Sequence, residues 1–310
     1  MEPREIFSSS QRWMMAGLDA FSRDDGSEDF VVHHIGVATE HLLKAYLASL
    51  HPAHIVDDKH WESLLHATGH GSRSGIPRSR TKTIGLKAAF DRVKRLIPKI
   101  SVSVQEFEPV LAARNGVAHV GYHDDAEARS VLTTVIRLAV PVLAAIEELN
   151  EVDDWASRYW GSYGQLRDDL LDERTTELRL GLTAKIARAK RTFLDRLAGI
   201  EGVQRGAVIE TIGAHNPYPW HADYEQRAES CPACEGRGWV RGQVSIDWED
   251  DGEGVGPRVT AYVDGYECAV CGISLGREEM ELLKLDAPVQ LEVEDAYEWL
   301  QPDEDLYRDR

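Results

Sequence analysis

The chain has 310 residues, 43% hydrophobic and 28% charged, with a formal net charge of −18. The length predicts two domains, the mixture is that of an ordinary water-soluble protein, and the acidic excess argues against a surface coated throughout by nucleic acid. The first 25 residues carry Glu2, Arg4, Glu5 and Arg12 without an apolar segment, and the longest apolar run, Leu138 to Ile146, is short for a bilayer, so a cytoplasmic chain without membrane contact is expected.

From Ser27 to Leu50, the residues Phe30, Val31, Ile35, Ala38, Leu42, Tyr46 and Leu50 recur every three or four positions, which predicts an amphipathic helix; Glu40 and Lys44 make an i,i+4 pair on it. The stretch SRSGIPRSRTKT, residues 72 to 83, holds Gly75, Pro77 and small polar residues and reads as a loop. A basic helix, Leu86 to Leu96, follows. Residues 73 to 99 carry nine cations against one acid, Asp91, so the charge of the chain is unevenly spread. Arg78, Arg80, Lys82, Lys87, Arg92, Lys94 and Arg95 are candidates for the phosphates of RNA, although a solvated basic face has the same composition. Val104, Phe107, Val110 and Leu111 mark a buried helix from about residue 103. Asp125 to Leu149 reads as a further long helix; Pro141 inside it cannot donate to the Arg137 carbonyl, and a kink is expected there. Together these predict an antiparallel helical bundle over residues 1–150.

The helix from residue 103 ends in RNGVAH, residues 114 to 119. On a regular helix Asn115 and His119 share a face, whereas Arg114 and His119 diverge by about 140°. They converge if the helix loosens at Gly116, or if two copies face each other across a two-fold axis, which predicts a homodimer with a shared cleft. RNGVAH fits the RNxxxH form of an Arg-x4–6-His signature, and HHIGVATEHLLKAYL, residues 33 to 47, resembles the first helix of the same family, the HEPN superfamily (higher eukaryotes and prokaryotes nucleotide-binding). The resemblance covers roughly the first half of the chain. It implies bundles that dimerise through these helices and, in many members, metal-independent endoribonuclease activity with paired Arg and His lining the dimer cleft.

The residue types suit that chemistry. RNA is cut when its own 2′-hydroxyl attacks the adjacent phosphorus, so the protein has to move protons and stabilise charge on phosphoryl oxygens. His119 is the natural proton carrier near neutrality. Arg114 offers a fixed fork of donors to two phosphate oxygens. Asn115 either orients His119 or holds a phosphate oxygen. The nucleophile belongs to the substrate, so neither metal nor Ser nor Cys is required, and DNA should be untouched. The same residues also fit a structural role, with Arg114 at the bundle surface, His119 on a backbone carbonyl and Gly116 at a close helix contact. A metal pair from His119 and His123 is opposed by Gly121 and by the lack of a carboxylate at matching spacing. His33, His34 and His41 read as interface or surface residues, with His34 near the cleft.

Trp155, Tyr159, Trp160, Tyr163, Leu166 and Leu170 mark an aromatic-lined helix, and residues 182 to 200 a second one, basic on one side, so residues 151–213 are expected to form a helical connector. Residues 214 to 230 hold two prolines and few aliphatics and read as an irregular lead-in. All four cysteines then follow, Cys231 and Cys234 in CPAC and Cys268 and Cys271 in CAVC, with 33 residues between the pairs. Two such pairs suit one tetrahedral Zn2+. The runs WVRGQVSIDW and PRVTAYVDGYEC, joined by EDDGEGVG, predict a hairpin that brings the pairs together, the plan of a zinc ribbon. Gly272 follows the second pair as a knuckle turn prefers, while Glu235 stands in that place after the first. Disulfides or redox centres are the alternative, disfavoured in a cytoplasmic chain with no other cysteine. Four protein ligands leave no open position, so zinc here would serve folding.

Residues 245 to 310 hold 19 acids and 5 bases, which would repel phosphate. The ribbon and its acidic tail are therefore expected to dock a protein partner, or to shield the basic helix until RNA competes. The expected protein is mainly α, with a HEPN-like bundle (1–150), a helical connector (151–213) and a small β zinc-ribbon domain (214–310). Its expected activity is that of a homodimeric endoribonuclease, a toxin or defence effector. The alternative is a non-catalytic adaptor that binds nucleotide, RNA or protein.

Overall fold

The computed structural model describes residues 2–23, 28–57, 59–117, 125–150, 155–219, 221, 223–250 and 255–291. It is mainly helical, with a small antiparallel sheet near the C-terminus. Contacts divide the chain into two units, Met1–Arg174 and Thr175–Arg310, each with its own hydrophobic core. The stretch expected as a connector supplies Tyr159, Trp160 and Leu170 to the first core and Leu182 and Ala189 to the second.

In the first unit, α1 (Pro3–Arg23) and α2 (Glu28–Leu50) run antiparallel, since Ser9 meets His41, Ser10 meets Ala38 and Trp13 meets His34. Phe7, Met14 and Leu18 recur at helical spacing on α1 and are buried. Helices on several sides pack on α2, among them α4 (Leu86–Leu96) and α5 (Val104–Val117). The expected single apolar stripe is therefore too narrow for α2. Val32, Leu43 and Leu47 are buried off it, while its two ends, Phe30 and Leu50, are 62% and 37% exposed. Packing partners run out at the terminal turns of a helix. The remaining short helix of this region, α3 (Trp61–Ala67), holds the loop that follows it.

A reciprocal cap starts α5: Glu106 N–H donates to Ser103 Oγ at 3.1 Å and Ser103 N–H donates to Glu106 Oε2 at 2.8 Å. Phe107 stacks on Phe90 of α4 with ring centroids 4.0 Å apart, and Val110 is buried beside it. The long α6 (Asp125–Asn150) continues through Pro141. Its stretch Glu127–Leu149 is apolar and long enough to cross a bilayer by length and composition, a match that counting unbroken apolar runs does not find; half of its most apolar 18-residue segment is buried. Val131, Leu132, Val135, Ile136, Val142 and Leu143 belong to the bundle core.

The expected aromatic helix is instead two, α7 (Trp155–Trp160) and α8 (Gly164–Arg196). They are separated by a turn in which Gly161 takes φ +52, a region open to glycine at little cost. The boundary between the two units falls inside α8. Tyr159 is fully buried; its hydroxyl donates to Ser10 Oγ at 2.8 Å, which in turn donates to the Ala38 carbonyl at 2.7 Å. Burial pushes the Tyr159 phenol up, so it stays a neutral donor.

The second unit contains the rest of α8, then α9 (Gly202–Gly213), β1 (Tyr224–Ser230), β2 (Arg237–Asp250), β3 (Val255–Cys268), β4 (Ile273–Gly276), α10 (Arg277–Leu283) and β5 (Val289–Leu291). The order is β1-β2-β3-β4, all antiparallel, with β5 also on β3. The expected hairpin forms, with Trp239 opposite Glu267 and Trp248 opposite Pro257 and a bulge at Arg241/Gly242. The expected irregular lead-in is corrected at residues 224–230. That segment, weakly apolar, is strand β1, held by its ladder to β2 from Tyr224–Gln243 to Ser230–Arg237. Residues 251–254, in the middle of the expected turn EDDGEGVG, and those from 292 onward lie outside the described residues.

Candidate functional site

Arg114, on α5, reaches across to α2. Its Nη2 donates to Glu40 Oε2 at 2.9 Å, Lys44 Nζ donates to Glu40 Oε1 at 2.7 Å, and the same Nζ donates to Thr83 Oγ1 at 2.9 Å. One carboxylate thus gathers two cations and ties α5 to α2, while Lys44 holds the end of the basic loop to the same helix. The Glu40 side chain is 13% exposed and that of Arg114 is 38% exposed, so the guanidinium meets solvent while its anchor is largely covered. Gly36, one turn before Glu40, permits the approach. A Cβ at that position would stand 2.7 Å from Arg114 Cγ and 2.9 Å from Arg114 Cβ.

Two imidazoles, His33 and His41, lie within reach of the charges of this pair. Burial, then the neighbouring His34, then the charge of Arg114, push the pKa of His33 down. Burial likewise pushes His41 down; Lys44, Arg114 and Arg12 add to it and outweigh the pull of Glu40. Both rings are therefore mostly neutral at pH 7. His41 Nδ1 lies 3.1 Å from Ser9 Oγ. His34 donates from Nδ1 to the Phe30 carbonyl at 2.6 Å, and its ring stacks on both Phe30 and Trp13. Of the expected catalytic residues, Arg114 is placed with its side chain and Asn115 is placed on α5 by its backbone alone. The helix continues through Gly116 to Val117. His119, with Gly121 and His123, lies outside the described residues.

The basic residues divide into two groups. Arg78 and Arg80 sit on a single 3-10 turn, Arg78–Arg80, and with Lys82 and Arg95 they are exposed. The loop that carries the first three is held in place: Glu62 Oε2 accepts from Ser74 Oγ and Gly75 N–H, His66 Nε2 donates to the Ile76 carbonyl, and Lys82 N–H donates to Ser63 Oγ. The other group has intramolecular partners. Arg92 donates to the His54 carbonyl at 2.6 Å, Lys94 to the Val102 carbonyl at 2.6 Å, and Lys87 pairs with Asp91 at 3.7 Å.

The four cysteines form a second site. In an antiparallel meander alternate turns fall at the same edge, so the β1–β2 and β3–β4 turns bring CPAC and CAVC together. Cys231 and Cys271 sulfurs are 3.6 Å apart, Cys234 and Cys268 sulfurs 3.7 Å, and all four lie within 4.8 Å of one another. These separations exceed the ~2.05 Å of a disulfide and match the ~3.8 Å edge of a tetrahedron with ~2.3 Å metal–sulfur bonds. The residues are positioned to bind a metal ion, and they are the one such group among the described residues. The two turns are alike: Glu235 N–H donates to the Cys231 carbonyl at 2.9 Å and Gly272 N–H to the Cys268 carbonyl at 2.7 Å. Both donors are left-handed, with φ of 60 and 78. Glu235 therefore adopts the conformation that glycine supplies at the second turn, at a cost of about 1–2 kcal/mol.

The thiols bond one another, so one thiolate gains at the expense of the others. The Cys268 and Cys271 thiols, with the Ala233 and Cys234 N–H groups adding to the effect, push the Cys231 pKa down to about 2, while bonds to Cys231 and Cys268 push Cys271 up and burial pushes Cys234 up. Arg196 of α8 donates to the carbonyls of Ala269 and Val270 at 2.7 and 3.0 Å, which fixes the second turn.

No protein-family model matches the sequence, and no curated protein or solved structure matches it.

Sequence reasoning placed Glu40 and Lys44 as a helix pair but missed that Glu40 is the seat of Arg114. It also missed Trp13, Arg12 and Ser9, since α1 was not among the expected helices. One signal was available: Gly36 interrupts an otherwise strong helix former, which marks a close approach by another chain segment.

Proposed function

We propose that this chain is a metal-independent endoribonuclease of the HEPN type, acting as a homodimer, with a structural Zn2+ in a C-terminal zinc ribbon. The observation that carries the reading is the setting of Arg114. It is the first residue of the RNxxxH motif, a part-exposed guanidinium held by a mostly covered carboxylate, and its charge reaches the rings of His33 and His41. A guanidinium held in this way turns its solvent-facing side to a phosphate, and its attraction grows as negative charge builds up in the transition state.

In the reaction the substrate 2′-oxygen forms a bond to phosphorus while the bond from phosphorus to the 5′-oxygen breaks. The 2′-hydroxyl proton passes to a base and another proton goes to the departing 5′-oxygen, leaving a 2′,3′-cyclic phosphate and a 5′-hydroxyl. His119 is the assigned proton carrier and Asn115 its orienting partner or a phosphate ligand. The two-fold axis brings the second Arg and His to the cleft. Arg78, Arg80, Lys82 and Arg95, all exposed, are the cations best placed for flanking phosphates. An enzyme that destroys RNA suits a toxin or a defence effector in the cytoplasm.

Four thiolates at tetrahedral spacing favour Zn2+ over harder metals. With every ligand supplied by the chain, the ion would cross-link the two hairpin turns and stabilise the second unit. The acidic surroundings favour a protein partner there over RNA.

The Glu40–Arg114 pair also favours a second reading, a non-catalytic adaptor in which that ion pair simply ties α5 to α2. Incubation with RNA and with DNA of the same sequence, in EDTA, separates the two. The enzyme should cut RNA alone, and Arg114→Ala should abolish the cut. Equal cutting by Arg114→Ala would remove Arg114 from the chemistry, and RNA left intact by the wild type would favour the adaptor.

A further inference from the structure

The residues along one side of α2 fall in a spatial order. At its N-terminal end Phe30, 62% exposed, stacks on His34 with centroids 6.1 Å apart and planes 20° apart; His34 stacks on Trp13 at 5.0 Å and 30°. Midway, Arg114 comes over Gly36 from the adjoining face and its guanidinium reaches Glu40. Beyond it His41 meets Ser9, and at the far end Lys44 is hydrogen-bonded to Thr83, the residue after exposed Lys82. From Phe30 to Lys44 this covers about 21 Å at 1.5 Å per residue.

The column of three rings ends on a phenyl group that no described part of the fold covers. Aromatic faces at a surface accept bases of any sequence, because every base offers a π-face. Charge sets the direction. Glu40 is compensated by two cations, and the loop cations Lys82 and Arg80 extend the positive side beyond it. Glu28 and Asp29 stand in the first turn beside Phe30. A phosphate is disfavoured at that end, whereas a neutral base is not.

We propose that this side of α2 is a docking track for single-stranded RNA. An unpaired base extends the Trp13–His34–Phe30 column, and the phosphates run from Arg114 toward Lys82. The track rests on the RNA reading above and adds a binding step that does not depend on cleavage.

The test is fluorescence anisotropy of a short labelled 2′-O-methyl RNA, which has no free 2′-hydroxyl to attack, with the full chain and its Phe30→Ala and Phe30→Tyr variants. Light scattering and circular dichroism report mass and folding of each protein. Stacking is worth about 1–3 kcal/mol per base, so Phe30→Ala should weaken binding by about 5- to 160-fold while Phe30→Tyr restores it. Arg80→Ala should flatten the salt dependence by about one unit of slope. A duplex of the same sequence should bind more weakly than the single strand. The track is wrong if wild type does not bind, if Phe30→Ala binds as wild type, or if that variant loses dimer mass with RNA binding unchanged, in which case the face joins two copies of the chain. Binding without cleavage of ordinary RNA would uphold the track and sink the ribonuclease; cleavage with binding unaffected by Phe30→Ala would do the reverse.

Discussion

Gly36→Ala tests the seat of Arg114 with a single methyl group. The new carbon would lie 2.7 Å from Arg114 Cγ and 2.9 Å from Arg114 Cβ, well inside the ~3.5 Å at which carbon atoms pack. Overpacking of this kind costs about 1–3 kcal/mol. Alanine in place of glycine inside a helix returns about 1 kcal/mol. The net expectation is a loss of about 0–2 kcal/mol from the first unit, or a few degrees in Tm at about 2–4 °C per kcal/mol for a unit of this size. The displacement also stretches the 2.9 Å contact to Glu40. Misplacement of a reacting group by about 1 Å costs up to about a hundredfold in rate, so cleavage should fall by more than the stability change explains. Calorimetry with a parallel RNA-cleavage assay reads both quantities. An alanine variant that melts higher, as helix propensity alone dictates, and cuts RNA at the wild-type rate would refute the packing of Arg114 against Gly36.

Metal analysis of the purified chain should find one Zn2+ per molecule, and Cys231→Ser should lose it. Calorimetry should then show the second unit destabilised and the first unchanged, because their cores are separate; loss of both transitions would contradict this. Glu235→Gly should relieve the left-handed strain and stabilise the second unit by about 1 kcal/mol, measured as slower loss of metal to a chelator. Burial pushes the Glu106 carboxyl up, but the Ser103 N–H and the Arg137 guanidinium outweigh it and hold the group below its ordinary range. A carboxyl depressed in the folded state stabilises fully above its unfolded pKa, about 4–5, and ceases to do so as pH falls through the folded value. The melting temperatures of wild type and Glu106→Gln should therefore differ most near neutrality and converge in acid; a gap independent of pH would show that the carboxylate charge is not what matters.

Local pattern carried the sequence reading wherever one element decides its own form. The basic helix begins and ends at Leu86 and Leu96 as expected. The hairpin between the cysteine pairs follows from two alternating runs around a glycine-rich turn. The four cysteines were legible because thiolate chemistry restricts their spacing. Tertiary choices were not legible. Strand β1 has almost no apolar residues and is a strand through its partner alone, whereas α1 was legible, since Phe7, Met14, Leu18 and Phe21 mark one helical face that the sequence reading passed over. Arg92 and Lys94 look like free cations in the sequence, yet each meets a backbone carbonyl that becomes a neighbour only in the fold. Glu40 was read through its neighbour one turn away; its contact with a residue 74 positions later has no local signature.

The most direct test of the ribonuclease proposal is the chemistry of the product ends. Wild type and His119→Ala would be incubated with cellular RNA in EDTA and the fragments examined for their termini. The proposal predicts cleavage by wild type alone, with 2′,3′-cyclic phosphate on one fragment and 5′-hydroxyl on the other. Intact RNA with both proteins, equal cleavage by the variant, or 5′-phosphate ends would contradict it.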